Sequence, residues 1–318
     1  MSITGRGYTY NLPNYVGELF GQSPETTPFL SAIGGLSGGE RADGKIRAKW
    51  QTYSLRAPSI RTRVEGADAP DGESRKRYPV ANTLQIIQET IDLSYSKMAN
   101  NAIDKATPDG NPVQDELSWQ IEKALLQVAK DVNYSMINGD ENFPGYGESD
   151  AASKRQMDGI RNAIVTNVND AENSELTADM VLDLVQTVYD AGGIEQVETA
   201  TLLCNSSVKR RLSKVLLTDR NTDPDSRTVG GVNLQTIETD FGRLNIMMDR
   251  SMATDELVLV SLEQCAPVFL EIPGKGYLFE EPLARTGSAE RYQIYGEATL
   301  KYGNEKSHGK LININVGS

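Results

Sequence analysis

The chain has 318 residues, of which 38% are apolar and 24% charged, with a formal net charge of -12, two Cys and one His. This length and apolar content support one large or two medium packed domains and exclude a disordered chain, and no apolar run approaches the ~20 residues that cross a bilayer. The single imidazole, His308, excludes His-rich metal centres, and the isolated Cys204 and Cys265 read as buried free thiols, not as a disulfide.

The opening stretch Met1–Tyr15 lacks a basic start followed by an apolar run, so export is not signalled and a cytoplasmic site of work is expected. Within residues 27–35, Thr27 can cap, Pro28 fits the first helical position, and Gly34 and Gly35 stop the turn. Phe29, Leu30 and Ile33 are too few for a core of their own, so the segment reads as an arm that lies against something else. Residues 45–55 and 82–94 both look extended, with Ile46, Ala48 and Trp50 alternating in the first and Leu84, Ile86 and Ile91 in the second. They suggest two paired strands. Between them, 26 residues from Arg56 to Ala81 are rich in Arg, Asp, Gly and Pro and carry no helix or strand pattern. A connection that long is usually functional or mobile, and a lone two-stranded hairpin needs a neighbour to cover it.

Next comes a long amphipathic helix over 112–138, with Asn111 as cap, Pro112 in the first turn and Asn138-Gly139 closing it. Leu117, Ile121, Ala124, Leu125, Val128, Val132 and Met136 step by three or four along one face. Residues 159–166 read as a strand. Helices are predicted over 178–191 and 208–217, with a buried strand at 199–204 between them, and further strands at 232–237, 244–248 and 257–261. At the C-terminus, Tyr292 to Tyr302 and Ile312 to Val316 alternate as two strands joined by a turn, a hairpin signal. The class is α+β.

Charge is unevenly spread: residues 41–80 hold ten Lys/Arg against five Asp/Glu, whereas 101–200 hold six against nineteen. Only Trp50, Tyr53 and Tyr78 interleave the basic stretch, which argues against a nucleic-acid-reading face. Opposite patches on one chain favour self-association. Catalytic patterns fail on their flanks. Gly39 to Ile46 nearly spells a phosphate loop but ends on Ile46 where a hydroxyl is needed, and Gly35-Leu36-Ser37-Gly38-Gly39 lacks the strand, helix and His of a nucleophile elbow. Asp219 to Asp225 imitates a calcium loop with Pro224 where Gly is required, and Ser94-Tyr95-Ser96-Lys97 has no partner motifs. No catalytic residue, metal site or cofactor follows.

The order of several short motifs resembles the major capsid proteins of tailed bacteriophages with the Hong Kong 97-like fold, in the branch with a short arm and no fused scaffolding segment. The resembling stretches are Gly17–Phe20, Ser23-Pro24 and Thr27–Gly35; Trp50–Leu55 with Val64–Ala67; Asn82 with Gln85–Ile87 and Ser94; Met157–Ile160 with Thr166-Asn167; Gly230-Gly231, Phe241-Gly242 and Asp249-Arg250; and Gly296-Glu297 with His308-Gly309. The resemblance implies an N-terminal arm over 1–40 and an extended loop reaching a neighbouring subunit over 41–97. It also implies a peripheral domain from 98–159 and 281–318 around the spine helix 112–138, and an axial domain over 160–280.

On this resemblance the protein builds the icosahedral shell around a tailed phage's double-stranded DNA, as identical copies in hexamers and pentamers. A separate scaffolding protein, a portal and a decoration protein are the further partners it implies, with non-specific contact to packaged DNA and no membrane. The location implied is the virion, assembled in the host cytoplasm. Inter-subunit contacts are expected from Pro28, Phe29, Leu30 and Ile33, by apolar burial, and from Arg56, Arg61, Arg63, Arg75, Lys76 and Arg77, against carboxylates of the adjacent spine. An encapsulin-type compartment, which shares the fold and holds a cargo protein, and a soluble α/β enzyme of another type are the alternatives. Particle contents separate the first, and a monomer with a closed pocket would indicate the second.

Overall fold

The computed structural model describes residues 26–43, 46–69, 71–98, 116–145, 154–194, 200–219, 226–229, 232–285 and 287–316. Apolar runs without polar alternation mark its interior. β6 (Ala200–Cys204) and β10 (Leu257–Ser261) are buried at every position, as expected of strands covered on both faces. They form the middle of a seven-stranded mixed sheet in the order β5 (Val168–Asp170), β14 (Gly309–Ile312), β10, β6, β9 (Gly242–Met248), β8 (Val232–Thr239) and β7 (Ser226–Val229). Alternate side chains then serve two cores. Leu203, Met247, Val258 and Val260 face one, and Leu202, Cys204, Ile246, Leu257 and Leu259 face the other.

The second core is closed by α4 (Ala178–Asp190), where Thr177 Oγ1 caps by accepting from the N–H of Met180, and Val181, Leu184, Val185 and Val188 turn inward. α5 (Ser206–Asp219) adds Val208 and Leu212. The first core lies between this sheet, α2 (Glu116–Asn138) and a five-stranded sheet. That sheet runs β1 (Glu40–Arg41), β11 (Ala266–Phe269), β13 (Ala289–Lys301), β12 (Leu278–Pro282), with β4 (Gln85–Ser94) also paired along β13. β2 (Arg47–Tyr53) and β3 (Arg77–Thr83) form a separate antiparallel pair.

α2 buries Ala124, Val128, Val132, Met136 and Ile137, and its last turn closes as the N–H of Gly139 donates to the carbonyl of Ser135 at 2.8 Å. At 1.5 Å per residue its 23 residues reach about 35 Å. Leu125, expected in the stripe, lies on the exposed face. The predicted cap and first turn, 111–115, lie outside the described residues, as do Gly44, Lys45, 146–149, Thr199, 220–225 and Gly230-Gly231.

Three sequence expectations are corrected. The stretch 45–55 pairs with 82–94 only at Asn82 and Thr83; the rest of its partner strand, Arg77–Ala81, lies in the stretch that carries no strand pattern in the sequence. The chain from Arg77 to Ser94 changes partner at the buried Leu84, pairing with β2 before it and with β13 after it. Residues 159–166 are not a strand: α3 (Ile160–Ala163) forms there because Ile160, Ala163 and Ile164 bury one helical face, and the N–H groups of Asn162 and Ala163 donate to the Gly159 carbonyl. The C-terminal strands do not make a hairpin. β13 belongs to the five-stranded sheet and β14 to the seven-stranded one, and a short 3₁₀ turn, Glu305–Ser307, carries the chain across. Accordingly β11 and the start of β12, inside the stretch 160–280, join the sheet of β13, while residues 309–312 join that of β10.

Candidate assembly surfaces

The base of the β2–β3 hairpin is fastened to the body by side chains that spend their hydrogen-bonding capacity there. Asn82 is fully buried; its amide donates to the carbonyls of Asp158 (2.9 Å) and Leu300 (2.7 Å) and accepts from the N–H of Asp158 (2.8 Å). Trp50 Nε1 donates to the Gly303 carbonyl at 2.7 Å, and its ring meets Tyr302 edge-on at 5.0 Å. Glu141 accepts from Arg47 at 2.5 Å and from Thr83 Oγ1 at 2.7 Å, and the Arg47 guanidinium stacks on Phe143.

Beyond this base the described residues from Tyr53 to Pro79 are exposed. Tyr53, Leu55, Ile60 and Val64 are large apolar side chains in water, Ile60 at 95% and Val64 at 80% exposure. Nothing in the sequence marks them as contacts, because each stands among polar and charged residues. Of the six expected cations, Arg56, Arg61 and Arg75 all pair with Glu73, whose carboxyl is held below the usual range by its hydrogen bond from Arg61, with help from Arg75. Arg63, Lys76 and Arg77 are exposed and have no ion pair among the described residues. The expected acceptor, α2, presents Glu122 and Asp131 near Leu125 and Tyr134 on its outer face.

The apolar arm residues are packed within their own chain. Phe29 and Leu30 in α1 (Pro28–Ala32), together with Ile33, are buried in the chain's own first core, and Pro28 is buried as well. The helix docks by two backbone donors: the N–H of Leu30 to Asn133 Oδ1 at 2.9 Å and that of Phe29 to Asp249 at 3.4 Å. Thr27 makes no side-chain cap bond to the backbone. Within the subunit these side chains are core residues. Residues 1–25 lie outside the described residues.

No group of three or more metal-ligating side chains occurs among the described residues. Cys204 and Cys265 are buried free thiols, both pushed up to about 12 by burial, which leaves them protonated and unreactive. His308 is fully buried between the two sheets; Nε2–H donates to the Tyr302 carbonyl at 2.7 Å and Nδ1 accepts from the N–H of Ser261 at 3.2 Å. Burial lowers it to about 4, so the ring is a neutral structural joint. Asp158 is raised to about 6 by burial and by the neighbouring Glu141 and Asp140. No described helix is long and apolar enough to cross a membrane.

A family model described as SU10 major capsid protein matches residues 2–315. No curated protein matches the chain. Among solved structures the chain is similar to the capsid of cyanophage A-1(L), at 12% identity and a TM-score of 0.63, covering 97% of this chain and 98% of that one. The capsid of an empty GTA particle is similar at 12% identity and a TM-score of 0.59, covering 96% of each chain. The encapsulin of Synechococcus elongatus PCC 7942 shares 12% identity, with a TM-score of 0.56 and coverage of 88% and 85%. At these identities the structural likeness establishes the Hong Kong 97-like capsid fold, and the family match extends over nearly the whole chain: the protein belongs to the SU10 major capsid protein family, a family of structural shell subunits and not of enzymes.

Proposed function

We propose that identical copies of this chain, arranged as hexamers and pentamers, close the icosahedral shell around a tailed phage's double-stranded DNA, with the loop of each subunit seated on its neighbour. The observation that carries this reading is a contrast within one element. The hairpin base is locked to the body by Asn82, Trp50 and Arg47, yet the loop it supports lies in solvent with Ile60 and Val64 uncovered. An isolated subunit gains nothing from holding such side chains in water, whereas a repeated neighbour supplies the missing cover.

In this reading residues 1–40 remain the arm and 41–97 the extended loop. The peripheral domain combines 98–159 and 281–318 around the spine, and 160–280 forms the axial domain, with β14 inserted into its sheet. Arg63, Lys76 and Arg77 meet spine carboxylates of the next copy; at about 0 to 1 kcal/mol per exposed pair they fix register more than strength. A separate scaffolding protein, a portal and a decoration protein complete the assembly in the host cytoplasm, and packaged DNA is touched only through non-specific contacts.

The test is electron microscopy of the expressed chain, alone and with Arg63, Lys76 and Arg77 reversed to Glu. Regular particles from the parent and a folded subunit without regular particles from the variant are expected; unchanged assembly of the variant would remove the charge pairing. The likeness to an encapsulin carries a second reading, in which native particles hold a cargo protein and no nucleic acid. Nuclease and protease treatment of purified particles separates the two.

A further inference from the structure

The three guanidinium groups that converge on Glu73 come from both limbs of the loop. Glu73 Oε1 takes Arg61, and Oε2 takes Arg56 Nε at 3.4 Å and Arg75 Nη1 at 3.3 Å. The β2–β3 ladder ends at Tyr53 opposite Arg77, and the segment between has no regular backbone pairing. Among the described residues, every polar side-chain contact that crosses from one limb of this segment to the other ends on Glu73. Local bonds add stiffness within a limb: Arg56 Nη1 donates to Ser59 Oγ and to the Ala57 carbonyl, each at 2.9 Å, and the N–H of Ala67 closes a turn on the Val64 carbonyl.

We infer that Glu73 is a clasp that closes the loop on itself within a single subunit, setting the shape in which Ile60 and Val64 are offered before any neighbour arrives. A carboxylate shared by three cations does this cheaply, because ordering the flexible segment beforehand reduces the entropy lost on docking. Removing it would do more than free one contact: three like charges would then repel in the space where Glu73 had gathered them. Exposure makes the clasp sensitive to salt, since screening acts fully on partners in water. The clasp also divides the loop's cations by role. Arg56, Arg61 and Arg75 hold the loop, while Arg63, Lys76 and Arg77 remain for a neighbour, so the inference rests on the shell reading only for its purpose and not for its geometry.

The experiment measures the loop in the unassembled full chain. Spin labels on Ala57→Cys and Ser74→Cys place one probe on each limb, and the native Cys204 and Cys265 are buried and stay unlabelled. A narrow distance distribution is expected at about 0.05 M salt, becoming at least twofold broader in Glu73→Gln and in the parent at about 1 M salt. A second variant, Arg56→Gln with Arg61→Gln, should broaden it while leaving Glu73 in place, because it removes both cations that reach Glu73 from the opposite limb. Identical distributions for parent and both variants would overturn the clasp. Particle formation is scored separately: a chain whose loop distances respond as stated but which never builds shells retains the clasp and loses the shell reading.

Discussion

The side chain of Asn82 brackets the backbone of Asp158, accepting from its N–H at 2.8 Å and donating to its carbonyl at 2.9 Å. The same amide reaches Leu300 on β13, so one residue at the end of β3 ties the hairpin base both to the segment preceding α3 and to the five-stranded sheet. Asn82→Ala leaves these buried backbone groups without partners. The cost is about 3 kcal/mol, read as a lower urea midpoint, with faster amide exchange around Asp158 and Leu300. An unchanged midpoint would mean that the base is held by Trp50 and Arg47 alone.

Phe29 gives a test of where the arm's apolar residues act. Because it is fully buried in its own subunit, Phe29→Ala should destabilise the unassembled chain by about 3 to 5 kcal/mol. If its cover came from a neighbour, only assembled particles would lose stability.

Ile60 and Val64 should behave in the opposite way. Replacing both with Asp leaves the thermal midpoint of the subunit nearly unchanged, within about 0.5 kcal/mol, since neither side chain touches the core. Regular particles should fail to form. Assembly at the parent's yield would show that the loop's apolar residues are not contacts.

Two titrations oppose one another on acidification. His308 is lowered from 6.5 to about 4, so its contribution to stability is complete above 6.5 and is lost as the pH falls through 4. Gln can supply the same donor and acceptor without titrating, so His308→Gln should lose less stability than the parent across that window. Asp158 is raised from 3.8 to about 6; its contribution is complete below 3.8 and lost as the pH rises through 6. Asp158→Asn should therefore stabilise at neutral pH, by about 1 kcal/mol once its partial exposure is allowed for, and the gain should vanish near 4. Urea midpoints across the range would check both, and a variant that tracks the parent would refute its half.

Elements whose pattern is local were legible from residues alone. The stripe from Val181 to Val188 specifies α4, and the apolar run Ala200 to Cys204 specifies a buried strand. The joint order of the short motifs carries the resemblance to tailed-phage major capsid proteins, and the basic stretch 41–80 and the long helix expected over 112–138 fit it. Alternation cannot name a partner, however. The stretch 82–94 reads as extended whichever sheet it joins, whereas Arg77–Ala81 shows no strand pattern until β2 pairs with it, and only Leu84 sinking into the base decides where the partner switches. The strands on either side of His308 likewise look like a hairpin until the buried ring is seen linking Ser261 to Tyr302 between two sheets.

Charge shows the same division. Counting residues established that 41–80 is basic, which follows from composition. That three of those cations close on Glu73, and that Phe29 and Leu30 fill their own subunit's core, depends on which distant segments the fold brings within reach. Periodicity is set by neighbours in the chain and survives in the sequence; pairing is set by neighbours in space, and these exist only once the two sheets have packed.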